Sequence, residues 1–287
     1  MFKILDKTEL SEDIFKFIVE APLISKAAKA GQFVVIRMDE KGERIPLTIA
    51  DSDPSRGTIA IVFQIVGAST KLLGARDKGQ GIMDILGPLG HPTEVEDFGR
   101  VVCVGGGVGI GVVYPVIRAM KDKGNEVISI IGSRCEELLF FINEIEKSSD
   151  KVYITTDDGS CGRKGFVSDE LKALIDKGIK IDRVVAIGPV PMMKAIANVT
   201  GPHKIKTIVS LNPLMLDATG MCGVCRVTIG GQTKFACVDG PEFDAHEVDF
   251  DELATRLDHY KDKEKIAMEI SSPLHPSPQC GEGNHEA

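Results

Sequence analysis

The sequence predicts three units in series: a small antiparallel β-barrel, an α/β unit on a parallel sheet, and a small cysteine-bearing C-terminal unit. Three observations lead there. Short apolar and β-branched runs separated by turn-formers fill roughly the first hundred residues. Apolar strands then alternate with helical stretches. Finally, Cys222, Cys225 and Cys237 stand close together, whereas the other four cysteines are scattered. The chain of 287 residues also exceeds what one core usually organises.

Residues 1–98 carry the barrel signal, in the runs 15–19, 32–37, 45–50 and 58–66. Gly31, Gly42 and Asp53-Pro54 punctuate them, a short helix is expected after Gly67, and 82–86 reads as a closing strand. Residues 99–206 carry the α/β signal. Strands are expected at 101–104, 127–131, 152–156 and 183–187, with helices at 112–121, 136–145 and 168–175. Residues 207–260 hold the cysteine group, a β-like stretch at 226–229, a hairpin turn at Gly230-Gly231 and an acidic helix candidate at 249–257. Residues 261–287, rich in Pro and Gly towards the end, read as an extended tail; Cys280 and His285 there read as incidental.

The formal net charge of −8 gives no reason to expect nucleic acid or an anionic membrane as partner. Trp is absent and Tyr occurs three times, so stacking platforms for bases are scarce. No apolar run approaches the ~20 residues that span a bilayer. The N-terminus lacks the apolar core and cleavage site of a signal peptide. Odd, unevenly spaced cysteines argue against a disulfide framework. A cytoplasmic protein is expected.

The chemistry-bearing segments follow. Asp217, Cys222, Cys225 and Cys237 have the four-residue and two-residue gaps and the distant last ligand of a plant-type [2Fe–2S] site, with Asp217 in place of its first cysteine. A carboxylate can ligate iron, although it is harder than a thiolate. Three cysteines and a carboxylate could also form a zinc loop. In the segment Arg44-Ile45-Pro46-Leu47-Thr48-Ile49, the Arg can fork onto a pyrophosphate, and Thr48 offers a hydroxyl and an amide to a flavin edge. Gly67-Ala68-Ser69-Thr70 opens a short helix whose free amides suit the same pyrophosphate. Taken singly, both also read as an ordinary strand and helix cap.

Gly105, Gly106, Gly107 and Gly109 lie between a buried strand and a helix, where backbone can approach a phosphate. No frame satisfies G-x-G-x-x-G, so a purely structural turn stays open. Ser133-Arg134 follows the second strand and could take a 2′-phosphate, or Arg134 could be a surface residue at a helix start. Asp157 and Asp158 sit in a loop after the third strand, where a turn or capping role competes with nucleotide binding.

In this order the features resemble the ferredoxin reductase-like flavoprotein superfamily, up to about residue 260. Within it the sequence is similar to the small subunits of NADH-dependent reduced ferredoxin:NADP oxidoreductases, the sulfide dehydrogenase type included. It is also close to the electron-transfer subunits of dihydroorotate dehydrogenase. The resemblance implies a β-barrel FAD domain, a Rossmann-like NAD(P) domain and a small [2Fe–2S] domain. FAD would lie between Arg44–Ile49 and Gly67–Thr70. The nucleotide, NAD(H) by resemblance with NADP(H) possible, would lie on the glycine turn, near Gly188-Pro189. A larger subunit carrying flavin and [4Fe–4S] clusters is the expected partner, with ferredoxin reached through it and electron bifurcation residing mainly there. Asp217 favours the ferredoxin:NADP oxidoreductase branch, because dihydroorotate dehydrogenase subunits usually carry Cys at that position. No side-chain acid or base is expected to be catalytic, since flavin carries the hydride chemistry. A zinc-stabilised adaptor without redox cofactors is the non-enzyme alternative.

Overall fold

The computed structural model describes residues 1–40 and 42–270. The first sheet contains β1 (Phe2–Ser11), β2 (Ile14–Glu20), β3 (Phe33–Arg37), β4 (Arg44–Asp53), β5 (Thr58–Gln64), β6 (Gly81–Ile82) and β7 (Asp84–Leu89), with helices α1 (Pro22–Ala27) and α2 (Ala68–Gly74) between them. Its order is β6-β1-β2-β5-β4-β3-β7, and every pairing is antiparallel. The two edge strands are separated in sequence only by Met83, so the sheet curls into a nearly closed barrel. Ile59, Ile61 and Phe63 of β5 point into the barrel core with Phe17, Ile36 and Leu73. Val62, on the opposite face, packs with Val113 and Ile117 of the next unit. That double burial is why this strand reads as a continuous apolar run rather than an alternation.

The second unit comprises β8 (Arg100–Gly106), α3 (Gly109–Asp122), β9 (Glu126–Ser133), α4 (Ile142–Lys147), β10 (Lys151–Thr156), β11 (Arg163–Lys164), α5 (Val167–Asp176), β12 (Arg183–Ile187), α6 (Val190–Thr200) and β13 (Thr207–Ser210). Past it come β14 (Arg226–Ile229), β15 (Gln232–Phe235), β16 (Glu242–Asp244), α7 (Phe250–Asp258) and α8 (Lys261–Ile270). The large sheet has the order β11-β10-β9-β8-β12-β13-β16. All its pairings are parallel except β13 with β16. The sheet therefore continues beyond residue 206 and takes its edge strand from the cysteine-bearing region. Strand order reverses between β8 and β12, which makes their carboxyl ends the place where such sheets bind ligands. α3 runs between sheet and barrel, and its Arg118 pairs with Asp51 of β4 at 3.0 Å.

Two expectations are corrected. The helix expected over 136–145 is a single 3₁₀ turn at Glu136–Leu138 followed by α4. Phe141 sits at φ 59 and breaks the run, and its ring packs on Tyr114 of α3 with centroids 5.3 Å apart. The extended tail expected over 261–287 is helical in α8, which lies against α2. The remainder of that tail, with Cys280 and His285, lies outside the described residues.

A polar network holds the segment that joins the barrel to β8. Thr93 Oγ1 donates to Glu242 Oε1 at 2.5 Å, and Arg183 of β12 pairs with Glu94 at 2.8 Å while covering the Phe98 ring. Burial, with the Glu94 charge adding to it, pushes the Glu242 carboxyl up to about 6 against the pull of Thr93 and Arg183. The folded protein therefore holds this proton more tightly than the unfolded chain does. The contribution to stability is complete below the ordinary value of 4.5 and is lost as pH rises through about 6. Glu242→Gln, neutral at every pH, is expected to melt like the parent near pH 4.5 and a few degrees above it near pH 8. Thermal melts at the two pH values check this, and equal melting temperatures at both would refute it.

Candidate functional site

The first group of residues lies on the barrel. Arg44 opens β4 and is exposed, Ile45 to Thr48 are partly buried, and Ile49 is 3% exposed. Pro46 pairs with Val35 and Leu47 with Val34, so the segment is fixed in register by β3. The start of α2 is drawn to it, because Ser69 Oγ donates to Glu43 Oε2 at 2.8 Å. Thr70 Oγ1 accepts from the amides of Val66 and Gly67 at 2.9 and 3.0 Å, which fixes the turn. The two segments, 26 positions apart in sequence, thus share one surface of the barrel. Arg44 brings a fork of donors to that surface, and Thr48 is within the adjoining strand, so this donor set fits an anionic, pyrophosphate-bearing group. Glu43 carries no motif signal of its own, and it is what brings the segments together.

The second group occupies the switch point. Gly107, at φ +55, faces open space, as a backbone turn that receives a ligand should. The neighbouring glycines face protein atoms instead. A Cβ on Gly105 would meet Val113 at 2.8 Å, one on Gly106 would overlap the Met192 sulfur, and one on Gly109 would overlap the carbonyl of Ile187. Gly188 faces Met192 as well, and Pro189 is the residue just before α6. Met192, unremarked in the sequence, is therefore the side chain around which Gly106 and Gly188 close.

Further along the same carboxyl edge, the Asp157 amide donates to the Ser133 carbonyl at 3.1 Å and the Asp158 amide to that of Arg134 at 3.2 Å. Ser133 is buried, and its hydroxyl donates inward to Cys135 O at 2.6 Å; Arg134 is exposed. Burial pushes the Asp157 carboxyl up, Arg134 pulls it down, and the Asp158 charge adds to the rise. Asp158 accepts from the Ser160 amide and hydroxyl at 2.9 and 2.7 Å, a turn-building role.

The third group is the cysteine loop. Asp217 Oδ1 accepts from the Thr219 amide at 3.0 Å around Ala218, which sits at φ 58. The Thr219 amide first, and then the thiol and amide of Cys222, hold the Asp217 carboxyl below the usual range. Gly220 and Gly223 adopt φ 84 and 69, which bends the loop back on itself. The hairpin β14–β15 turns through Gly230-Gly231, both at positive φ, and returns the chain to Cys237. The Ala236 amide donates to Cys225 O at 3.1 Å, and the two sulfurs of Cys225 and Cys237 stand 3.1 Å apart. Cys222 is exposed, whereas Cys225 and Cys237 are 2% exposed. Asp217 thus meets Cys222, and Cys225 meets Cys237, within one loop whose thiols and carboxylate are donors of a kind suited to iron with sulfide. Among the described residues, no three His, Cys, Asp or Glu side chains are grouped round a single metal ion.

Two family models match. Residues 103–198 match an oxidoreductase NAD-binding domain, and residues 212–249 match the iron–sulfur cluster binding domain of dihydroorotate dehydrogenase B. A Thermotoga maritima homologue of the dihydroorotate dehydrogenase B (NAD(+)) electron transfer subunit is 48% identical, covering 93% of this chain and 94% of that one. The Fusobacterium nucleatum electron transfer subunit is 30% identical, covering 86% and 96%. A solved structure of NADH-dependent reduced ferredoxin-NADP oxidoreductase, described for flavin-based electron bifurcation, contains a chain that is 46% identical. It superposes with a TM-score of 0.89 and covers 94% of this chain and 97% of its own.

Proposed function

Since the chain belongs to the family of dihydroorotate dehydrogenase B electron transfer subunits and their homologues, we propose that it is the electron-transfer subunit of a flavin-based, NADH-dependent ferredoxin:NADP oxidoreductase. It moves electrons between NAD(H), FAD and a [2Fe–2S] cluster, to or from a larger subunit. The observation that carries this reading is the loop in which Asp217 meets Cys222 and Cys225 meets Cys237, downstream of a glycine turn at the sheet's switch point. Asp217, where dihydroorotate dehydrogenase subunits usually have Cys, favours this branch of the family.

The flavin supplies the conversion between two-electron hydride transfer and the single electrons that a cluster accepts. The protein's own groups bind and orient. Arg44 and the Gly67–Thr70 turn would hold the pyrophosphate of FAD, and Thr48 would offer its hydroxyl and amide to the flavin. Gly107 would let the backbone approach the pyrophosphate of the nicotinamide nucleotide, and Gly105, Gly106, Gly109, Gly188 and Pro189 would shape the crevice around it. The larger partner carries its own flavin and [4Fe–4S] clusters and reaches ferredoxin. Among the described residues no helix is long and apolar enough to cross a membrane. A reducing, cytoplasmic setting suits the thiolate ligands of such a cluster.

The test is the visible spectrum of protein purified without oxygen, with iron, sulfide and flavin analysis on the same sample. Flavin bands with about two irons and two sulfides per chain are the expected result. Zinc with neither flavin nor sulfide would establish the adaptor reading instead. Reduction of the cluster by dihydroorotate, through a co-purifying FMN protein, would establish the dihydroorotate dehydrogenase reading, which the family models keep in view. Arg134 bears on cofactor choice. If it binds a 2′-phosphate, Arg134→Ala weakens NADPH binding about tenfold, the loss of roughly one charge-assisted hydrogen bond, and leaves NADH unchanged. Equal effects on both nucleotides would remove that role.

A further inference from the structure

The cysteine loop is gripped by two arginines that no motif singles out. Arg226, the first residue of β14, donates from Nη1 to Gly223 O at 3.1 Å. Arg256, partly buried on α7, donates from Nη2 to Val224 O at 3.1 Å. The two carbonyls are successive and lie between Cys222 and Cys225. Both arginines line the same groove with Tyr260.

A trans peptide directs its N–H opposite to its C=O. With the carbonyls of Gly223 and Val224 turned to the guanidiniums, the amides of Val224 and Cys225 point away from the arginines, on the other side of the segment between Cys222 and Cys225. The arginines also set two permanent positive charges one peptide away from the ligand cysteines. A [2Fe–2S] centre with three thiolates and one carboxylate is already anionic when oxidised, and the single electron it accepts makes it more so. Nearby cations and amide donors both favour the reduced form.

From this geometry, and resting on the cluster assignment above, we infer that Arg256, assisted by Arg226, is a positioning residue that raises the reduction potential of the cluster by orienting the loop amides and supplying positive charge. α7 thereby acts as an electrostatic brace for the electron-accepting end of the chain. Its residue Arg256 lies 31 positions beyond Cys225 in sequence. Asp249 secures the start of this helix, its carboxylate accepting from the Glu252 amide at 2.9 Å. Leu253, buried at 1% exposure, anchors the same helix in the core.

The experiment is a redox titration of the cluster in the purified flavin- and iron-loaded chain, with iron and sulfide measured on each sample. Arg256→Gln keeps a hydrogen-bond donor and removes the charge. Poised at the parent midpoint, its reduced-to-oxidised ratio is expected to fall about tenfold, a midpoint about 59 mV more negative for one electron. Arg256→Lys keeps the charge and is expected to stay nearer the parent, and Arg226→Gln is expected to shift in the same direction by less. An unchanged midpoint in Arg256→Gln overturns the inference, whether its cluster content is full or reduced, because a merely structural brace would alter content alone. If that variant holds no iron, Arg226→Gln decides on the same criterion. A parent protein with no cluster spectrum would instead sink the functional reading itself.

Discussion

Cys237→Ala is expected to abolish the iron–sulfur cluster while leaving the flavin bound and reducible by NADH. Cys237 is delivered to the loop by the β14–β15 hairpin, and its sulfur lies 3.1 Å from that of Cys225. Removing it takes away one of the four proposed donors at a point where the surrounding core holds it at 2% exposure, so no solvent ligand replaces it readily. The hairpin's own pairing and the Ala236–Cys225 backbone bond do not involve the sulfur, and Ala is small enough to be accommodated. Iron and sulfide should fall from about two of each per chain to near zero. Electron delivery to the partner should fall at least about a hundredfold, about 2.7 kcal/mol of lost transition-state access. Flavin content and the bleaching of flavin absorbance by NADH should persist. Cys161→Ala, altering a thiol on the loop after β10, should keep its iron. A Cys237→Ala protein with full iron and sulfide would take Cys237 out of the ligand set.

Much of this architecture is legible in the sequence because period and punctuation report burial directly. The runs at 32–37 and 58–66 became β3 and β5, and the apolar strand at 101–104 became β8. Other elements depend on contacts that no local pattern carries. β16 is three residues, Glu242–Asp244, follows Pro241 and is a strand only because β13 offers it an edge. Pro189 caps α6, which begins Val190-Pro191; the Pro-Val-Pro run reads as a breaker in isolation and as a helix start in the fold. The helix expected over 136–145 was interrupted because Phe141 buries its ring against α3 rather than continuing the turn.

The same division holds for the site. The cysteine spacing and the glycine turn are local, so they show in the chain. Glu43 meeting Ser69, Met192 covering two glycines, and Arg256 reaching Val224 are products of tertiary packing. The glycine turn was the most ambiguous segment because its glycines do different work. Most of them answer to neighbouring protein atoms, and only Gly107 faces open space.

That difference makes a paired experiment decisive. Gly109 is the first residue of α3, and an added Cβ would overlap the Ile187 carbonyl and crowd the Gly188 backbone at 2.9 Å. Both obstacles are main chain, so no side-chain rotation relieves them. α3 must move off the end of β12, although Val113, Val116, Ile117 and Met120 anchor it at 0% exposure. Gly109→Ala is therefore expected to lose about 3 kcal/mol, the upper range for overpacking, and to melt well below the parent even without nucleotide. Gly107→Ala meets nothing within 4 Å and bears only the strain of φ +55, roughly 1–2 kcal/mol. If the nucleotide's pyrophosphate rests on that open backbone, its methyl group should weaken NADH binding more than tenfold, about 1.4 kcal/mol. Melting curves and NADH titrations on both variants separate the two roles. A Gly109→Ala protein that melts with the parent would refute the packing argument. Unimpaired NADH binding by Gly107→Ala would move the nucleotide off this turn.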